Sequence, residues 1–143
     1  MALDRRRKAL QLMERVSRHE MEIVGTELSA LRAEQSQLRT MSLELEERAR
    51  WEADTSTEET RRYLPAFLGS VDAQRRLWAQ EQEQLETQAA KLETQIIDAF
   101  RQVRTKELIR AKVERAIRLE EERSGNADLD DATRALRHAQ KSG

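Results

Sequence analysis

His19 opens the run His19-Glu20-Met21-Glu22-Ile23, the beginning of a pattern in which two histidines one helical turn apart share a zinc ion while a glutamate acts as base. That pattern needs a second histidine four residues on, and Ile23 stands there. The other histidine, His138, lies in a polar tail. Since a metal site needs converging ligands, both histidines read as surface residues. Asn126, Asp128 and Asp130 are spaced like the start of a calcium loop, but Asp131 holds the glycine position and Arg137 the closing glutamate position. Such a loop can neither bend nor close, and helix capping is the better use of these aspartates. The absence of cysteine excludes disulfides, thiol catalysis and Cys-based zinc sites. Four glycines supply neither a phosphate-cradling loop nor a nucleophile elbow. Carboxylates are abundant, but on a solvated helix nothing desolvates them or shifts their pKa. The expectation is a non-enzyme with no catalytic residue, metal or cofactor.

The remaining chemistry is charge. A formal net charge of -1 gives no bulk attraction to nucleic acid, yet the local balance is uneven. Residues 1–20 carry six basic and three acidic side chains, residues 101–118 seven and two, and residues 44–60 two and seven. Arg5, Arg6, Arg7 and Lys8 form one basic run; Arg101, Arg104, Lys106, Arg110, Lys112, Arg115 and Arg118 form a second, spread along a helix. Each is readable as a solvated face. Brought together, they would make an electrostatic tip able to dock an acidic protein rim.

The elements that carry these charges follow from periodicity. Charged residues make up 37% and aromatics 3% of 143 residues, too few rings for a compact core and more like an elongated helical protein. Leu3, Leu10, Val24, Leu31, Leu38 and Leu45 share one seven-residue column broken only by Ser17, while the companion column mixes Met21, Leu28 and Ala49 with Arg7, Glu14, Gln35 and Ser42. This predicts a long amphipathic helix over about residues 2–53. A second column runs Leu64, Val71, Trp78, Leu85, Leu92, Ala99 and Val113, failing at Lys106, with Leu68, Ala89, Ile96, Val103 and Ile117 beside it and Arg75, Gln82 and Arg110 interrupting. Ser56 with Glu59 fits a capping box that opens this helix near Thr57 after a turn at about residues 54–57. Ser124-Gly125-Asn126 would end it near residue 123. The tail, 124–143, is expected to form a short helix capped by Asp128 or to be disordered.

So short a connection favours an antiparallel return. The expected fold is all-α: a single domain built as a long antiparallel two-helix coiled-coil hairpin, with a weakly ordered C-terminal tail. A turn centred near residue 56 would set Leu31 opposite the region of Glu81 and Met21 opposite that of Leu92, in arms about 75 Å long. Both basic segments would meet at the open end and the acidic segment would form the closed end. No apolar run of 18 residues is present, and Glu14 and Arg15 interrupt the start before a signal-peptide core could form. A cytoplasmic location is expected.

Arg61 to Val71, RRYLPAFLGSV, departs from the surrounding Leu, Ala, Gln, Glu and Arg, and holds the only proline and tyrosine. A proline inside a helix removes a backbone bond and crowds the preceding turn, so a kink near Pro65 is expected between about residues 61 and 69. Trp51, Tyr63, Phe67 and Trp78 cluster around the turn. They either seal the hairpin end or stay exposed for a partner.

A charged helix of about fifty residues, a short turn, Tyr63 and Phe67-Leu68 opening a longer helix, a middle rich in glutamine (Gln80, Gln82, Gln84, Gln88, Gln95, Gln102), the stretch RTKELIRAKVERAIRLEEE and a closing LDDATRALRHA together resemble the FliJ/YscO family. These are stalk proteins of flagellar and related type III export machines. The resemblance covers nearly the whole chain. It implies a non-catalytic protein, monomeric alone, whose open end binds the hexameric export ATPase and promotes assembly of its ring. A face nearer the turn would contact the cytoplasmic domain of the export gate, and some members also handle export chaperones. It implies a location at the cytoplasmic face of the flagellar basal body, with membrane contact only through the export complex. The aromatic patch with Tyr63 would be the gate end, and the family's gate-contacting stripe matches Phe67, Val71, Gln74 and Trp78. Arg5, Arg6, Arg7, Arg104, Arg110 and Arg115 would serve the ATPase end. Helix 1 lacks the family's tyrosine-bearing stripe, and Pro65 departs from its pattern. The competing reading is a general coiled-coil adaptor or homodimeric scaffold.

Overall fold

The computed structural model describes residues 2–142. It contains two long helices, α1 (Ala2–Thr55, 54 residues) and α2 (Leu64–Ser142, 79 residues), separated by a turn and a short 3-10 helix at Arg61–Tyr63. No strand occurs among the described residues. The chain is all-α because Leu, Ala, Arg, Gln and Glu, its main residues, are the strong helix formers. It divides into two compact units: Met21–Asp98, and the beginning of α1 to Glu20 with α2 from Ala99 onward. A narrow seam buries only what lies directly across it, so contacts gather locally instead of around one centre.

The turn differs from the expected capping box. Ser56 donates its hydroxyl back to the Ala53 carbonyl at 3.2 Å, which prolongs the end of α1. The cap is built from Thr57 and Thr60 instead. The Thr57 N–H donates to the Thr60 hydroxyl at 2.8 Å, and the same hydroxyl lies 3.2 Å from the Thr57 carbonyl. That carbonyl also accepts the Thr60 and Arg61 N–H groups. The connection therefore lasts until Leu64, and α2 opens seven residues later than Thr57. Pro65 is consequently the second residue of α2, not an interior one. At that position its missing N–H has no carbonyl to lose.

Burial along α1 follows the heptad through the polar residues that interrupt it. Glu14, Ser17 and Gln35 are buried, and Arg7 and Ser42 are half-buried. Along α2, Phe67 and Gln74 take the inward places expected for Leu68 and Arg75, both of which are exposed. The inward positions then step from Val71 to Gln74, Trp78 and Gln82 before resuming the expected columns. Two four-residue steps in succession are a stutter, which locally unwinds a heptad seam.

Within Met21–Asp98 the helices meet in opposite chain directions. Arg32 pairs with Glu86 and Glu93, Gln35 with Gln82 and Glu86, and Glu46 with Arg75. A Cβ added at Gly25 would touch Ile96 at 3.6 Å. Leu31 is thus not opposite Glu81: the pairing is displaced by more than one helical turn toward the C-terminus of α2. The cause is the longer connection, which moves the point of reversal.

In the other unit, Leu10, Val113 and Ile117 form a buried cluster with Leu3 and Ile109 packed against it. The helix does not stop at Ser124-Gly125-Asn126. Gly125 has no positive φ, and a helical glycine costs only about 1 kcal/mol relative to alanine, too little to end a helix flanked by strong formers. Asp128 lies inside α2 and caps nothing. Every described residue from Arg118 to Ser142 is exposed, so this last stretch gains no packing energy. Truncation after Arg118 is expected to change the unfolding free energy by less than about 0.5 kcal/mol. Urea titration checks this; a larger loss means the stretch is packed.

Candidate partner-binding surfaces

The aromatic stripe splits into inward and outward residues. Val71 is 7% exposed, and Phe67, Gln74 and Trp78 are half-buried on the same face. Trp78 lines a groove with Leu38 and Ser42 of α1. These four residues form part of the seam and seal it. Tyr63 and Trp51 are each 63% exposed. The Arg62 guanidinium lies 5.1 Å from the Tyr63 ring centroid, within cation–π range. Leu68, at 38% exposure, adds to the outward set. None of the four residues matched to a gate-contacting stripe is exposed, whereas Tyr63, placed with them at the gate end, is.

The basic residues divide similarly. Arg5, Arg6 and Arg115 are exposed and have no ion-pair partner among the described residues. Arg7 pairs with Asp4 at 3.1 Å and Arg104 with Glu107 at 3.4 Å, both within one helix turn. Arg110 is committed inward, with its Nε 3.2 Å from Oε1 of the buried Glu14. That contact is ionic without hydrogen-bond geometry, because the same oxygen has no hydrogen-bond donor. Lys106 donates to the buried Ser17 hydroxyl. Arg118 and Lys112 are exposed, as are His19 and His138.

Polar layers therefore replace apolar contacts in both units. Around Gln35, the buried side-chain amide accepts from Arg32 and donates to Glu86, while the Gln82 side chain donates to the Gln35 backbone carbonyl. Hydrogen bonds from Gln35 first, then Arg32, hold the Glu86 carboxyl below its ordinary value, and the two glutamates raise that of Arg32. In the other unit, the Arg18 hydrogen bond is the main cause that lowers Glu107. Sequence reading singled out none of Arg18, Arg32, Glu86, Glu93 and Glu107. A signal was present: Arg18, Arg32 and Arg39 share one seven-residue column immediately beside the seam of α1, and Glu86, Glu93 and Glu107 share one on α2.

These pairings have measurable consequences. The Glu86 and Glu107 carboxyls are held below the ordinary carboxylate range in the folded chain, so their ionised forms add stability above that range, and this is lost as pH falls through the lowered values. The thermal midpoint should stay level from neutrality to about pH 5 and fall below it. The double variant Glu86→Gln/Glu107→Gln should fall less steeply; equal slopes would exclude these two groups. Glu14 with Arg110 behaves differently, because a buried carboxylate short of donors is poorly compensated. Replacing both by leucine should raise the unfolding free energy by about 1–3 kcal/mol. A loss in denaturant titration would show that the pair contributes net stability.

Among the described residues no helix is long and apolar enough to cross a membrane. No protein-family model, curated protein or solved structure matches this chain.

Proposed function

We propose that the protein is a non-catalytic stalk of a flagellar type III export apparatus, built as a long antiparallel two-helix coiled-coil hairpin. In this reading it binds the hexameric export ATPase, promotes assembly of its ring and couples it to the cytoplasmic domain of the export gate, with export chaperones as further partners. A kink near Pro65 belongs to the proposal, at the change from 3-10 to α geometry. So does a cytoplasmic location at the base of the flagellum.

The observation that carries it is the set of uncommitted cations. Arg5, Arg6 and Arg115 are exposed and unpaired within one unit, whereas Arg7, Arg18, Arg104 and Arg110 of that unit have internal partners. A rim of acidic side chains on an ATPase ring is the kind of surface they would meet, and such contacts act on association rate as well as affinity. Tyr63 and Trp51 supply exposed rings near the turn of the kind enriched at binding hot spots.

The direct test is binding to a purified export ATPase at low and physiological salt. Arg5→Glu, Arg6→Glu and Arg115→Glu combined should weaken binding by about tenfold or more and reduce stimulation of ring ATPase activity. Arg110→Glu is unsuitable, since it would place a second carboxylate beside Glu14. Unchanged binding by the triple variant would refute the basic surface as the ATPase site. No binding by the unaltered chain, with a stable dimer in sedimentation, would favour the homodimeric scaffold.

A further inference from the structure

The two flanks of the seam within Met21–Asp98 are unlike each other. On one, charges are used internally: Arg32 with Glu86 and Glu93, and Arg75 with Glu46. On the other, a groove between α1 and α2 is walled by Glu27, Glu34, Glu81 and Gln88. None of these three glutamates has an ion-pair partner among the described residues. Lys91 is the one cation lining this groove.

The floor of the groove is apolar and unfinished. Leu31, Leu38, Leu85 and Leu92 line it, and all four are only half-buried although they occupy seam positions. In the other unit Leu10 and Val113, which share the columns of these leucines, are 8% and 5% exposed. Two helices thus cover these columns there and leave the four leucines partly open here, although Gln35, Val71 and Ala89 beside them are buried.

We infer that this groove docks an amphipathic helix of a partner protein, with a leucine-type stripe on the leucine floor and Lys or Arg beside that stripe. A groove between two heptad helices has the period and curvature of a third, which enters by the same packing. An extended segment finds no sheet edge to pair with. The chemistry of the walls selects the sign of the flanking charges. It also argues against a second copy of this chain meeting face to face here, since that sets glutamate against glutamate. This surface goes beyond the export reading and uses none of its residues.

The chain has no cysteine, so Gln88→Cys gives a single dye position inside the groove and Glu83→Cys a control facing the paired flank. The probe is a synthetic helical peptide about four heptads long with leucine at the seam positions and lysine beside them. One counterpart carries glutamate in place of lysine, another carries serine in place of leucine. The lysine–leucine peptide should bind at least about tenfold more tightly than either counterpart and should change the signal at Gln88→Cys but not at Glu83→Cys. In Glu27→Lys/Glu34→Lys/Glu81→Lys, with helicity confirmed by circular dichroism, the preference should reverse toward the glutamate peptide. Equal binding of the serine peptide would reduce the effect to non-specific charge attraction and overturn the inference. So would absence of binding, or a response confined to Glu83→Cys. Sedimentation showing a dimer that the triple variant dissolves would assign the groove to a second copy and overturn the foreign partner.

Discussion

Thr60 bonds Thr57 through its hydroxyl, accepting the N–H and approaching the carbonyl that it and Arg61 also share through their own N–H groups. Where that turn closes decides which residue of α2 stands across from which residue of α1. A displacement of the reversal point by a few residues moves every pair by twice as many. Gln35 therefore reaches Gln82 and Glu86, and the flanking columns of arginine and glutamate fall into line. The same reversal places Glu46 by Arg75, where the order of charges is opposite to that at Arg32 and Glu86. A slipped register would bring some like charges together, so the flank specifies the pairing as well as supporting it.

Polar residues in a seam cost stability and restrict alternatives. Glu14, Ser17 and Gln35 are all buried, yet each side chain has a partner across the seam that only one register provides: Arg110, Lys106 and Glu86. Leucine in these places would pack well in several registers, whereas a buried amide or carboxylate is satisfied in few. The Gln35 layer is well bonded and the Glu14 layer is not. If either helix separates locally from its neighbour, the Glu14 layer is the weaker place.

The helical class, the extent of α1 and the seam of both helices were legible in the sequence, because a seven-residue repeat survives occasional polar substitution. Most of the polar interruptions, Glu14, Ser17, Gln35, Gln82 and Arg110 among them, proved to be seam positions, while Arg75 did not. What could not be read was competition between weak local signals. Ser56 with Glu59 and Thr57 with Thr60 offer nearly equal caps, and only the second closes the turn. Ser124-Gly125-Asn126 has the residues of a stop signal, yet none adopts left-handed backbone. The inward-facing Phe67 and Gln74, in place of Leu68 and Arg75, follow from the stutter, which becomes visible only once the register is known. For the binding surfaces, residue type located the arginines and aromatics. Their availability depended on contacts across the seam: Arg110 and Val71 turned inward while Arg115 and Tyr63 did not.

The register is the claim on which the remainder rests, and cross-linking of paired cysteines in the full chain at low concentration measures it directly. Gln35→Cys with Gln82→Cys should form a disulfide within a single chain under mild oxidation, and Leu31→Cys with Glu81→Cys should not. Efficient closure of the 31/81 pair, or cross-links found only between chains, would contradict the arrangement described.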